Sequence, residues 1–304
     1  MKHLKLLIIV LLLLVGGSVL AQETTEEEAP DYANPDLLVD TAWIVENPEE
    51  VEFKLLHIGG DLEDYLAAHI PGALFVTIAE LNNPEDAISG QIGTAEQVAA
   101  TLGKLGITTE DVLVLYDDNN NLLAARAYWV LKYYQHEHVH IYNGGTVRWE
   151  ADGQEFEAGE APVVEEVVYE IAEADPEIRT TGDYVVERLD DAGVQLCDTR
   201  SADEYLGLDV RADRGGHIPG AINLEWIDTI DGDTGTFKSF EELDELFTLA
   251  GFDREKEIIT YCQTGVRGAH VWFVLRELLG YPNVRNYDGS WVEYGNNPDF
   301  PIEN

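Results

Sequence analysis

Cys262 opens the segment Tyr261-Cys262-Gln263-Thr264-Gly265-Val266-Arg267-Gly268, which follows an apolar run and leads into a helical pattern over residues 268–279. A cysteine between a strand and a helix sits where backbone N–H groups converge and where the helix end favours negative charge. A free thiol titrates near ~8.5 and is mostly protonated at neutral pH, so this is the setting a nucleophilic thiolate needs. Arg267 adds a planar fork that suits sulfonate and carboxylate oxygens equally well. Its simpler role would be to brace the loop through backbone carbonyls. The residue types therefore describe a thiolate meeting an anion, with Cys262 as nucleophile and Gln263, Thr264, Gly265, Val266 and Arg267 as the anion loop.

Short apolar runs alternate with helical periodicity around this loop. In the second half, strands are predicted at residues 194–196, 221–224, 258–261 and 284–287, and helices at 239–250 and 268–279. Such alternation implies parallel strands with helices on both faces. In open sheets of that kind the ligand site lies beyond the carboxyl ends of the strands, where Cys262 falls.

The chain also repeats itself. His69-Ile70-Pro71-Gly72-Ala73 returns as His217-Ile218-Pro219-Gly220-Ala221, and Val112-Leu113-Val114-Leu115-Tyr116 as Glu257-Ile258-Ile259-Thr260-Tyr261. Tyr142-Asn143-Gly144-Gly145 likewise returns as Tyr287-Asp288-Gly289-Ser290. A repeat of this length means two copies of one domain. The expected organisation is a first domain at 36–150, an acidic linker at 151–177 with one short strand near 163–171, and a second domain at 178–304.

The first residues carry Lys2 and Lys5, an apolar run at 6–15, and small residues ending at Ala21. This pattern reads as a secretory signal peptide over 1–21, which places the mature protein outside the cytoplasm. The competing reading is a retained anchor, although the run is shorter than the ~20 residues a span requires. Residues 22–35 are acidic and expected to be disordered. Removing the signal takes away two of 18 basic residues against 59 acidic ones, so the formal charge moves from −41 to −43. So acidic a surface argues against nucleic-acid and anionic-membrane partners and suits a salty environment. Two cysteines, Cys197 and Cys262, exclude a disulfide scaffold. No metal-ligand spacing and no phosphate-binding glycine loop is present, so no cofactor is expected.

Cys197-Asp198-Thr199-Arg200, Glu204-Tyr205, the His-Ile-Pro-Gly-Ala segment, the Cys262 loop and Tyr287-Asp288-Gly289-Ser290-Trp291 together resemble the rhodanese family in its tandem-domain form. The family comprises thiosulfate and 3-mercaptopyruvate sulfurtransferases. The resemblance implies two rhodanese-like α/β domains, each a mostly parallel sheet with helices on both faces. It implies a persulfide formed on Cys262, a small sulfur donor and a thiophilic acceptor such as cyanide or a thiol. It also implies that catalysis stays in the second domain while the first has lost its nucleophile.

The residues agree with that division. Asp117 stands opposite Cys262, the following Asp118-Asn119-Asn120-Asn121 lacks a glycine for a tight cradle, and counting back from Tyr65 and Tyr205 sets Ile58 and Gly60 opposite Asp198 and Arg200. Cys-dependent phosphatases of this fold enclose one residue more between cysteine and arginine, so phosphatase or arsenate-reductase chemistry is the lesser reading. The same residues also fit a sulfur carrier loaded by a protein partner, or a sensing or binding module without turnover. The family's donor-gripping arginine is replaced here by Glu204, and its role is expected to pass to Arg211 or Arg214. Asp198 and Arg200 are expected to support the loop, Cys197 to be a packed thiol, and His69 and His217 to stabilise turns. Trp149 and Trp291 are candidates to pack between the domains, although aromatic residues after a last strand usually lie in a domain's own core.

Overall fold

The computed structural model describes residues 31–47 and 51–304; the expected signal segment 1–21 and most of the acidic stretch 22–35 lie outside them. The first half runs β1 (Leu38–Val39), α1 (Thr41–Glu46), β2 (Phe53–Gly59), α2 (Leu62–Ala67), β3 (Leu74–Thr77), α3 (Ala95–Lys104), β4 (Val112–Tyr116), α4 (Leu122–Tyr133), β5 (Val139–Tyr142) and α5 (Gly145–Ala151). The second runs β6 (Arg179–Thr180), α6 (Gly182–Glu187), β7 (Val194–Asp198), α7 (Ala202–Tyr205), β8 (Ile222–Asn223), α8 (Phe240–Ala250), β9 (Glu257–Tyr261), α9 (Val266–Phe273), β10 (Val284–Tyr287) and α10 (Ser290–Tyr294). The strand orders β1-β5-β4-β2-β3 and β6-β10-β9-β7-β8 are one arrangement used twice. All the ladders between these strands are parallel.

β4 and β9 read as near-continuous apolar runs because each lies inside its sheet and is buried on both faces. α8 starts where Ser239 and Glu242 cap one another and ends at Gly251, which takes φ +94°. α9 begins two residues before its expected start, because Gly265 turns the chain at φ +82°, and it continues into a π turn over Val274–Leu278.

Two expectations about the acidic segments are corrected. No strand forms at 163–171. There the chain runs extended along the first half, held by single bonds instead of a ladder: Val167 N–H to the Gly103 carbonyl at 2.9 Å and Asp175 N–H to that of Tyr133 at 2.7 Å. Residues 31–34, grouped by composition with a disordered stretch, are tied to the second half. Ala33 donates to the Leu278 carbonyl at 2.7 Å and the Tyr32 hydroxyl to that of Lys238 at 2.6 Å.

The largest apolar core crosses between the halves, where α4 packs on α9 and Tyr128 meets Phe273 edge-on with centroids 4.8 Å apart. Trp149 and Trp291 belong instead to two smaller cores, one on the other face of each sheet, so neither fills the interdomain contact. Among the described residues no helix is long and apolar enough to cross a membrane.

Candidate active site

β9 delivers Cys262 to the start of α9. The Cys262 N–H donates to Ser290 Oγ at 3.1 Å, while the carbonyls of Cys262 and Gln263 accept from the Trp291 and Val292 N–H groups at 2.9 Å each. The loop is thus stitched outward to α10, and among the described residues the N–H groups from Gln263 to Gly268 form no hydrogen bond. Only Gly fits at 265: a Cβ there would stand 2.8 Å from both the carbonyl and a carboxylate oxygen of Asp288. Cys262 itself is 1% exposed.

Arg267 does not reach backbone carbonyls. Its fork grips Glu204 through Nη1–Oε2 at 2.7 Å and Nη2–Oε1 at 2.9 Å. Burial opposes the charged guanidinium, but the Glu204 carboxylate and the neighbouring Cys262 sulfur outweigh it and hold Arg267 above its ordinary range. Burial likewise pushes Glu204 up, and Arg267 and Arg211 overcome it to hold the carboxyl below its usual value. Glu204 is buried at the start of α7, where it also caps Ser201.

The other arginines have partners of their own. Arg211, half exposed, pairs with Asp209 at 2.6 Å and stands 3.8 Å from Glu204. Arg214 donates to the carbonyls of Tyr294, Gly295, Asn297 and Phe300. With its fork closed around the end of α10, Arg214 has nothing left for a donor, which corrects the expectation that it could grip one. Arg200 chelates Asp198 through Nε and Nη2 at 2.9 and 2.6 Å and lies 4.4 Å over the Trp291 ring. Asp198 in turn accepts from the Tyr261 hydroxyl at 2.7 Å, so this pair holds the residue before Cys262 from behind.

Cys197 is buried within β7, and burial, helped by Asp198, pushes its thiol well up. His69 and His217 stack on Tyr65 and Tyr205 at 3.9 and 3.6 Å, and each Nδ1 lies within 2.9 Å of the carbonyl of the tyrosine it stacks on. Both serve the same turn.

The first half repeats the strand-loop-helix plan with a different filling. The Asp117 carboxylate accepts from the Asn119 and Asn121 N–H groups at 2.8 and 2.9 Å and from that of Ala124 at 2.8 Å. The expectation that this loop could form no cradle without glycine is corrected: Asn120 and Asn121 take φ +55° and +62° and turn it as Gly265 does. Burial outweighs those donors and raises the Asp117 carboxyl to about 6. The alignment by counting also shifts by one. His57 pairs with Tyr116 as Asp198 pairs with Tyr261, so His57 and Gly59, not Ile58 and Gly60, oppose Asp198 and Arg200. One extra residue between β2 and Tyr65 produces the slip.

Sequence reasoning missed the link between the halves. Arg126 of α4, fully buried, reaches across to Asp288 at 2.7 Å and donates to the Gly90 carbonyl at 3.0 Å. Asp288 also accepts from the Ile92 N–H at 2.9 Å and lies 3.3 Å from Arg179. Gly90 is packed against Thr264, so the first half lies directly on the Cys262 loop. The signal for this was a lone arginine inside the apolar run Ala124-Ala125-Arg126-Ala127.

The rhodanese-like domain model matches the chain twice, at residues 35–152 and 181–297. A protein of Saccharopolyspora erythraea named for a thiosulfate sulfurtransferase activity is 40% identical over 277 residues, covering 88% of this chain and 96% of its own. The sulfur carrier protein TtuD of Thermus thermophilus is 39% identical over 282 residues, covering 89% and 98%. A solved structure of an EanB variant, carrying a cysteine persulfide together with ergothioneine, superimposes with a TM-score of 0.80 at 27% identity over 90% of this chain and 71% of that one.

Proposed function

The chain belongs to the rhodanese family in its tandem, sulfurtransferase-type form, and we propose that it moves a sulfane sulfur from a small donor of the thiosulfate or 3-mercaptopyruvate kind to cyanide or a thiol through a persulfide on Cys262. The observation that carries this reading is the row of unpaired N–H groups from Gln263 to Gly268 at a helix start, around a buried cysteine and beside a guanidinium. The thiolate attacks the outer sulfur of the donor, the S–S or C–S bond breaks, and the leaving group departs as sulfite or pyruvate enolate. The N–H groups then stabilise the terminal sulfur of the persulfide anion until an acceptor takes it. The engagement of Arg267 with Glu204 disfavours a phosphoryl substrate, which needs that fork free.

Incubation with thiosulfate or another small sulfane donor should add one sulfur to the intact mass, and cyanide should remove it; no adduct from any such donor sinks the proposal. The carrier reading, in which a partner protein supplies or collects the sulfur, is favoured by the likeness to TtuD and predicts a stable adduct with slow release to cyanide. Export by the segment 1–21 is part of the proposal, and N-terminal sequencing of the mature protein should begin at Gln22.

A further inference from the structure

Every arginine named around Cys262 has a carboxylate or carbonyl partner. Glu204 holds both Nη atoms of Arg267, Asp209 holds Arg211, Asp198 holds Arg200, and four carbonyls hold Arg214. With the thiolate counted, Glu204 and Asp209 set three negative groups against Arg267 and Arg211. Backbone N–H dipoles stabilise one terminal sulfur well, but they do not balance a second full charge on the donor.

We propose that Glu204 selects the donor: by closing the Arg267 fork it disfavours the thiosulfate dianion and favours a small alkyl persulfide, R–S–SH, of low net charge. This rests on the sulfurtransferase reading and replaces thiosulfate by an alkyl persulfide as its preferred donor. Cys262–S⁻ attacks the outer sulfur, forming the new S–S bond as the old one breaks. The electron pair leaves on the inner sulfur as R–S⁻, which takes the proton of the transferred S–H. The products are Cys262–S–S⁻ and R–SH, with no external oxidant or reductant. Glu204 touches Arg267 and not the reacting sulfur, so it acts as a positioning and selecting residue.

The test compares thiosulfate with cysteine persulfide as donors to the full-length protein, following the sulfur adduct by intact mass. In the wild type, kcat/KM should favour cysteine persulfide by about tenfold or more. Glu204→Gln should raise kcat/KM for thiosulfate by about tenfold relative to that for cysteine persulfide, through KM and not kcat. Added salt should speed wild-type loading by thiosulfate, because it screens repulsion. That measurement needs no variant and decides the question even if Glu204→Gln fails to fold. Thiosulfate loading that slows with salt, or a Glu204→Gln protein that loses kcat with both donors, overturns the proposal and makes Glu204 a mere brace. No adduct from either donor overturns the sulfurtransferase reading as well, whereas thiosulfate loading unchanged by Glu204→Gln overturns donor selection alone.

Discussion

The loops that follow β4 and β9 share one backbone plan and differ in where their negative charge comes from. In the first, Asp117 turns its own carboxylate into the N–H groups at the start of α4, and the cradle is filled by the chain itself. In the second, Cys262 leaves the corresponding N–H groups unpaired. A carboxyl group built into the chain makes the first loop a structural plug. On the proposed function, the Cys262 sulfur makes the second a site of chemistry. The difference teaches that the same loop can be held folded from within by an aspartate, provided its carboxylate satisfies the N–H groups.

The largest effect should come from making the second loop like the first. Cys262→Asp should lower sulfur transfer to cyanide by at least about 10³-fold, as should Cys262→Ser, because no nucleophile remains. Only the aspartate variant should keep its denaturation midpoint, since its carboxylate can take the cradle; an unfolded Cys262→Asp protein would break the comparison. Next, Arg126→Met leaves Asp288 buried without its main counter-ion and should cost about 3–5 kcal/mol in urea unfolding. Because Asp288 packs against Gly265, the same change should slow persulfide formation. Asp117→Ala orphans three N–H groups and should cost about 2–3 kcal/mol while leaving transfer rates within about threefold.

Of the same order is the pH dependence of the Asp117 contribution. Its native carboxyl lies at about 6 against an ordinary 3.8, so between those values the native state keeps a proton that the unfolded chain releases. The wild type should therefore lose stability relative to Asp117→Asn as pH rises from about 4 to about 6, with no further change outside that window. Paired urea melts at pH 4, 5, 6 and 7 check the sign.

Much of the architecture was legible because its signals are local. Apolar runs located β4, β9 and β10, and the repeated His-Ile-Pro-Gly-Ala and Tyr-x-Gly segments declared the duplication. What was not legible depends on chain topology or on backbone angles. Nothing near Glu204 announces Arg267, and nothing near Arg126 announces Asp288, because each pair meets only when distant segments fold together. Asparagines at positive φ do a glycine's work in the first loop, which composition alone does not reveal. A single inserted residue was enough to shift the counted alignment from His57 to Ile58. The loop residues 262–267 were correctly grouped as neighbours of one helix start, but the partner that occupies the arginine was hidden.

The core shared between α4 and α9 has a consequence for how the molecule comes apart. Neither half alone could cover Tyr128, Trp129, Trp272 and Phe273, so calorimetry should record one cooperative melting transition for the duplicated chain. A protease that nicks the extended stretch around Gly159 should leave two fragments that migrate together in native gel filtration and separate only in denaturant. In that sense the duplicated chain would behave as a dimer whose two subunits share one covalent link.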